Sequence, residues 1–291
     1  MRIGMIGLGR MGAGMTERLR RDGHEVVGYD RDPDKRDVAS IDELVESLES
    51  PRVVWVMVPA GEPTQLVVDE LVQLLDQGDI IVEGGNSNVH DTMRRAAHAD
   101  EAGIGFVDAG VSGGVWGLQE GFCLMVGGDP QHYQHIEPVL RSLAPPDGLA
   151  HVGPSGAGHF TKMVHNAIEY GMMQAFAEGY ELLGASELDI DIKAATSAWR
   201  NGSVIRSWLL DLLVNALDED PGLQSIRGYA DDSGEGRWAV EEAVRLAVPA
   251  PVTSAALFAR FGSRQDDSPA MKVIAALRNQ FGGHAVKSAE G

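Results

Sequence analysis

Short apolar runs alternate with helix-like stretches through the first half of the chain. They are Ile3-Gly4-Met5-Ile6-Gly7-Leu8, His24-Glu25-Val26-Val27-Gly28-Tyr29, Val53-Val54-Trp55-Val56-Met57-Val58, Ile80-Ile81-Val82-Glu83 and Gly105-Phe106-Val107-Asp108-Ala109. Continuously apolar strands separated by helices predict a parallel sheet covered on both faces. Residues 121–128 read as one more strand. Beyond residue 160 the pattern predicts helix throughout. A long helix spans Gly156 to about Leu183, a break falls at Pro249 and Pro251, and another helix runs from Pro269 through Leu277. The expected architecture is α/β: a doubly wound parallel sheet over residues 1–155, then an all-α domain over 156–291 built around the long helix. The N-terminus leads straight into the first strand and has no small-residue cleavage site, so it reads as part of the fold and not as a signal peptide. No apolar run reaches the roughly 18–20 residues of a membrane span.

Between the first two strands lies Gly7-Leu8-Gly9-Arg10-Met11-Gly12, a G-x-G-x-x-G turn that opens a helix and is followed some twenty residues on by Asp30. Glycines there let the backbone approach a pyrophosphate, which rests on the helix N-terminus. The domain is therefore expected to be Rossmann-like and to bind a dinucleotide. A carboxylate at Asp30 would hydrogen-bond the adenosine ribose and repel a 2′-phosphate, favouring NAD. Arg31 could reach such a phosphate and leaves NADP open. Ligands in these sheets bind beyond the carboxyl ends of the strands, the edge that holds Val58, Pro59, Asn86 and Ser112.

Two further segments carry candidate chemistry. Ser112-Gly113-Gly114 offers consecutive backbone N–H groups and a hydroxyl that could cradle a carboxylate or hydroxyl oxygens; a plain tight turn is the simpler reading. On the long helix Lys162, His165, Asn166 and Glu169 fall at i, i+3, i+4 and i+7, so all four share one face. Their neighbours Met163, Val164, Ile168, Met172 and Met173 are apolar. An exposed ion-pair stripe would carry more charge, and here Met173 continues the line.

The chain has 24 Lys and Arg against 43 Asp and Glu, a net charge of −19. That argues against nucleic acid or an anionic membrane as partner, both of which favour a basic face. An anionic small substrate needs only local cations. The single cysteine, Cys123, rules out an internal disulfide, fits a reducing cytoplasm and is expected to be a buried filler.

These motifs resemble the 6-phosphogluconate dehydrogenases, within the β-hydroxyacid dehydrogenase group. The resemblance rests on Gly7–Gly12, Gly85-Asn86-Ser87, 110–114, 156–170, Ile205-Arg206-Ser207, Gly234-Glu235-Gly236-Arg237-Trp238 and 278–284, and the length matches the short form of the family. It implies oxidative decarboxylation of 6-phosphogluconate in the pentose phosphate pathway, with Lys162 as general base and Glu169 as general acid. His165 and Asn166 would orient hydroxyls and the lysine, Ser112, Gly113 and Gly114 would hold the carboxylate end, and Asn86 would bridge nicotinamide and substrate. The implied phosphate contacts are Tyr170, Arg264, Arg278 and His284, the last two from a tail reaching a neighbouring subunit of a homodimer or homotetramer. No metal is called for. Ser233 and Glu235 depart from the phosphate-binding lysine and threonine of longer members. They keep open an alternative, a dehydrogenase of small unphosphorylated β-hydroxyacids such as 3-hydroxyisobutyrate, or a semialdehyde reductase.

Overall fold

A computed structural model describes residues 1–282 and 285–287. It divides into two compact units, Met1–Asn166 and Ala167–Gly291. The first unit contains β1 (Arg2–Ile6), α1 (Arg10–Arg21), β2 (Glu25–Tyr29), α2 (Ile41–Glu46), β3 (Val53–Val56), α3 (Glu62–Leu74), β4 (Ile80–Glu83) and α4 (Val89–Glu101). There follow β5 (Gly105–Ser112), a 3-10 turn at Gly114–Trp116, α5 (Gly117–Glu120), β6 (Cys123–Gly128), α6 (Pro130–Leu143) and β7 (Leu149–Gly153). The strand order is β2-β1-β3-β4-β5-β6-β7. The first five strands are parallel, β6 is antiparallel to β5, and β7 is parallel to β6. The doubly wound α/β fold is thus present, with a correction at one edge. Only a short turn and one helical turn separate β5 from β6, and a parallel return needs a longer crossover. Strand β7 was not anticipated, because it is only five residues long, His151 interrupts it, and it is largely exposed.

Alternate residues of the strands fill two cores. Ile3, Met5, Val53, Trp55 and Val82 meet Met15 and Leu19 of α1 and Ile136, Val139 and Leu140 of α6. Ile6, Val54, Val56, Ile81 and Phe106 meet Leu44 of α2, Val68 and Leu71 of α3 and Ala99 of α4. Burial on both faces is why these strands lack polar alternation. Charges enter this interior too: Glu83, the last residue of β4, pairs with Arg95 of α4 through both carboxylate oxygens, at 2.6 and 3.0 Å, and both side chains are essentially inaccessible. Cys123 is exposed at the start of β6, across from Ser112, and not the buried filler expected; the first position of that strand lies outside the core.

The second unit contains most of α7 (Ala157–Gly184), then α8 (Ile192–Trp199), α9 (Trp208–Glu219), α10 (Glu235–Arg245), α11 (Pro251–Ser263) and α12 (Pro269–Gly282). Asp191 and Ser207 cap α8 and α9 through their side chains. Helix does not extend throughout, as the sequence pattern suggested: residues 220–234 are irregular, a stretch punctuated by Pro221, Gly222, Gly228 and Gly234. The compact units part at 166/167, inside α7, where the domain boundary was expected ahead of the helix at 155/156. The cause is that the first turns of α7 lie on β5 and β6: a Cβ on Gly158 would stand 2.5 Å from the Asp108 carbonyl and 2.6 Å from that of Met125. No helix of the described residues is long and apolar enough to cross a membrane.

Glu83→Gln removes the charge that compensates buried Arg95, and a broken buried pair costs about 3–5 kcal/mol. Urea unfolding should show a loss of that size, whereas Glu83→Leu combined with Arg95→Met should lose far less.

Candidate active site

The carboxyl ends of β1, β2 and β3 enclose a cleft of about 240 Å³, at the point where the strand order reverses. Its lining includes Gly7, Gly9, Asp30, Arg31, Val58 and Pro59. Helix α1 starts at its floor with no side-chain cap, leaving first-turn N–H groups available to an anion. Gly12 must be glycine, since a Cβ would lie 1.9 Å from the Gly7 carbonyl. Asp30 is tied into the turn: its carboxylate accepts the Leu8 N–H at 2.7 Å and the Asp32 N–H at 2.9 Å. Each oxygen keeps a lone pair for ribose hydroxyls. These features fit a dinucleotide. Arg10 is exposed in the first turn of α1, and Met11 packs on the core beneath it.

Asn86 has a role the sequence did not show. Pairing of β4 with β5 ends at Glu83 and Asp108, and beyond that point the Asn86 amide replaces the missing strand. Its Oδ1 accepts the Val111 N–H at 3.2 Å and its Nδ2 donates to the Val111 carbonyl at 3.3 Å. Asn86 therefore secures the end of β5, next to Ser112. After Ser112 the backbone passes through Gly113 and Gly114 with φ of 131° and 53°, values that favour glycine. Val115 and Trp116, which follow, are exposed.

Lys162, His165 and Asn166 come together on α7. The lysine is buried, and its Nζ donates to Asn166 Oδ1 at 2.7 Å and lies 3.5 Å from His165 Nδ1. His165 Nδ1 is 2.9 Å from the same Asn166 oxygen. Gly110 of β5 makes room for the lysine: a Cβ there would meet the Lys162 Cβ at 2.4 Å. Glu169 follows one turn beyond His165 on the same helix face, half-buried.

In the second unit Tyr170 is buried against α10, and its hydroxyl accepts the Ser233 N–H at 3.3 Å. The guanidinium carbon of Arg260 sits 3.5 Å from the centroid of the Tyr170 ring. Arg260 donates to the Asp231 carbonyl and the Met173 sulfur, and no carboxylate among the described residues pairs with it. Arg264, by contrast, is committed to Asp232 at 3.1 Å, and Arg237 grips the same carboxylate with two bonds. The two guanidinium groups, Arg237 foremost, hold the Asp232 carboxyl well below the usual range, at about 2. Ser233 and Glu235 satisfy each other, the hydroxyl donating to a buried carboxylate in the first turn of α10. The sequence reading named Arg264 and not Arg260, one helical turn away. Their spacing at the end of α11 was visible, but which arginine an acid would neutralise was not. Arg278 is exposed on α12, and His284 lies outside the described residues.

A dinucleotide cleft with an uncapped helix behind it, and a buried lysine bonded to asparagine beside histidine, define a dinucleotide-dependent dehydrogenase. Residues 2–153 match the NAD-binding domain of 6-phosphogluconate dehydrogenase, and residues 158–290 match the C-terminal domain of 6-phosphogluconate dehydrogenase. The chain belongs to the 6-phosphogluconate dehydrogenase family and is an oxidoreductase. It is 43% identical to the Bacillus subtilis protein YqeC, only provisionally named for that activity, with 99% of each chain covered. It is 40% identical to the NAD-dependent, decarboxylating 6-phosphogluconate dehydrogenase of Haloferax volcanii, with 98% of each covered. Among solved structures, the Plasmodium falciparum 6-phosphogluconate dehydrogenase superposes with a TM-score of 0.83 at 26% identity, covering 100% of this chain and 67% of that one.

Because its pKa is depressed on folding, Asp232 contributes stability above the unfolded carboxylate value and loses it as pH falls through about 2. Asp232→Asn should lower stability at neutral pH by on the order of 2 kcal/mol, and its urea midpoint should converge on that of the wild type between roughly pH 4 and 2.

Proposed function

We propose that the protein oxidises 6-phospho-D-gluconate and releases CO2, forming ribulose 5-phosphate, with NAD as the preferred acceptor. The observation that carries this reading is the buried Lys162, held by Asn166 beside His165 on the helix face that also bears Glu169. The bound nicotinamide ring supplies the hydride acceptor. Lys162 takes the proton of the substrate C3 hydroxyl as the C3 hydrogen leaves as hydride, giving a ketone. With a carbonyl β to the carboxylate, the C1–C2 bond breaks, CO2 departs and its electron pair remains as an enediol. Glu169 then returns a proton to the former C2, which becomes C1 of ribulose 5-phosphate. Asn166 holds the lysine amine, His165 orients the substrate hydroxyls, and Ser112, Gly113 and Gly114 receive the carboxylate end. Asn86, while securing Val111, keeps one N–H for substrate or nicotinamide. Asp30 favours NAD by meeting the ribose hydroxyls, and Arg31 is the residue through which NADP would enter.

Tyr170 and Arg260 form the phosphate contact in this reading. Arg264 buttresses it through Asp232, and Arg278 and His284 complete it from a neighbouring subunit. Support for a homo-oligomer comes from α12, which leaves Met271, Val273, Ile274 and Leu277 exposed. A second reading, an unphosphorylated β-hydroxyacid as substrate, draws on one observation: Ser233 and Glu235 are turned upon each other and offer no cation.

Reduced-cofactor absorbance, followed with 6-phosphogluconate, gluconate and 3-hydroxyisobutyrate, each with NAD and NADP, separates the readings. The phosphorylated acid should exceed gluconate by roughly 100-fold in kcat/KM, the value of two charge-assisted contacts, with one CO2 released per turnover. A preference for 3-hydroxyisobutyrate without CO2 would reverse the assignment. Lys162→Met should cost about 10²–10⁴ in kcat.

A further inference from the structure

Asp108 is a fully buried carboxylate to which the chemistry above gives no part. Its Oδ1 accepts the N–H of Gly156 at 2.6 Å and its Oδ2 the N–H of His159 at 2.8 Å. These are the unpaired donors where α7 begins, and a carboxylate there gains from charge-assisted bonds and the helix dipole. A helix cap normally comes from the residue just before the helix. This one comes from strand β5, 48 residues earlier than Gly156, so it fastens helix to sheet.

The fastening is backed by close backbone contact. A Cβ on Gly127 of β6 would stand 2.6 Å from Asp108 Oδ1 and 2.7 Å from the Gly158 nitrogen. Asp108, Gly110 and Ser112 alternate along one face of β5. Asp108 holds the N–H of His159, three residues before Lys162, and Gly110 abuts the Lys162 Cβ. Ser112 opens the glycine loop. One strand face thus fixes where α7 starts, touches the lysine, and leads into the glycine loop. We propose that Asp108 is a positioning residue for Lys162, locking the first turn of α7 in register with β5 so that the lysine amine keeps a fixed height relative to Ser112. The proposal rests on the reading of Lys162 as the base.

The test uses the full chain with 6-phosphogluconate and NAD, comparing Asp108→Asn, Lys162→Met and the double variant, with NAD affinity and thermal unfolding measured alongside. Asn keeps the shape of the side chain but turns one acceptor into a donor facing an N–H. Asp108→Asn should lower kcat about 10–100-fold, the cost of a small misplacement, while the KM and the NAD dissociation constant stay within about twofold. In the Lys162→Met background it should cause no further loss. A kcat within about twofold of wild type, a loss confined to KM, or an equal loss in both backgrounds would overturn the proposal. Should Asp108→Asn not fold, Gly110→Ala decides: its methyl group pushes Lys162 from β5 with the Asp108 bonds intact, and an unchanged kcat refutes the positioning role. Wild-type turnover by Lys162→Met would instead remove the lysine assignment itself, a separate failure.

Discussion

The first turn of α7 lies on the bare backbone of β5 and β6, and the position of the lysine depends on that contact. Gly110, Gly127 and Gly158 remove the side chains that would otherwise separate helix from sheet. With no layer of side chains between them, the helix cannot slide without colliding with carbonyl oxygens. The cost of such proximity is a set of helix N–H groups buried away from water, which Asp108 satisfies.

Asp108 is in turn part of a pair. It sits in register with Glu83 of β4, so two inaccessible carboxylates lie side by side on one face of the sheet. Each has its own compensation, Arg95 for Glu83 and the N-terminus of α7 for Asp108. A sheet interior tolerates charge only on such terms. These two carboxylates fall where the apolar strands give way to the polar, glycine-rich edge. Just past them, Asn86 replaces a strand partner for Val111, so the end of β5 stays ordered up to Ser112.

In the second unit the arginines differ in the partners they meet. Asp232 absorbs Arg237 and Arg264, while Arg260 keeps its charge and lies on the Tyr170 ring. An acidic chain with a net charge of −19 has to place its uncompensated cations sparingly. Arg260 is one of them, and its location beside a buried tyrosine hydroxyl suits an anionic group.

The apolar runs, the glycine turn with Asp30, and the i, i+3, i+4, i+7 stripe on the long helix determined the α/β fold, the dinucleotide cleft and the lysine face by themselves. These are local patterns: a period of two or 3.6 residues and a turn that needs glycine leave their mark within a few positions. The tertiary structure alone decided the reversal of β6, the existence of β7, the latch made by Asn86, the exposure of Cys123 and the pairing of Arg264, not Arg260, with Asp232. It also decided that the first turns of α7 belong with the sheet. Each of these depends on which distant group arrives opposite a residue, a strand partner for Val111, an acid for Arg264, a backbone for Gly158. Spacing along the chain carries no record of such encounters, because they are set by how the packed elements fill space.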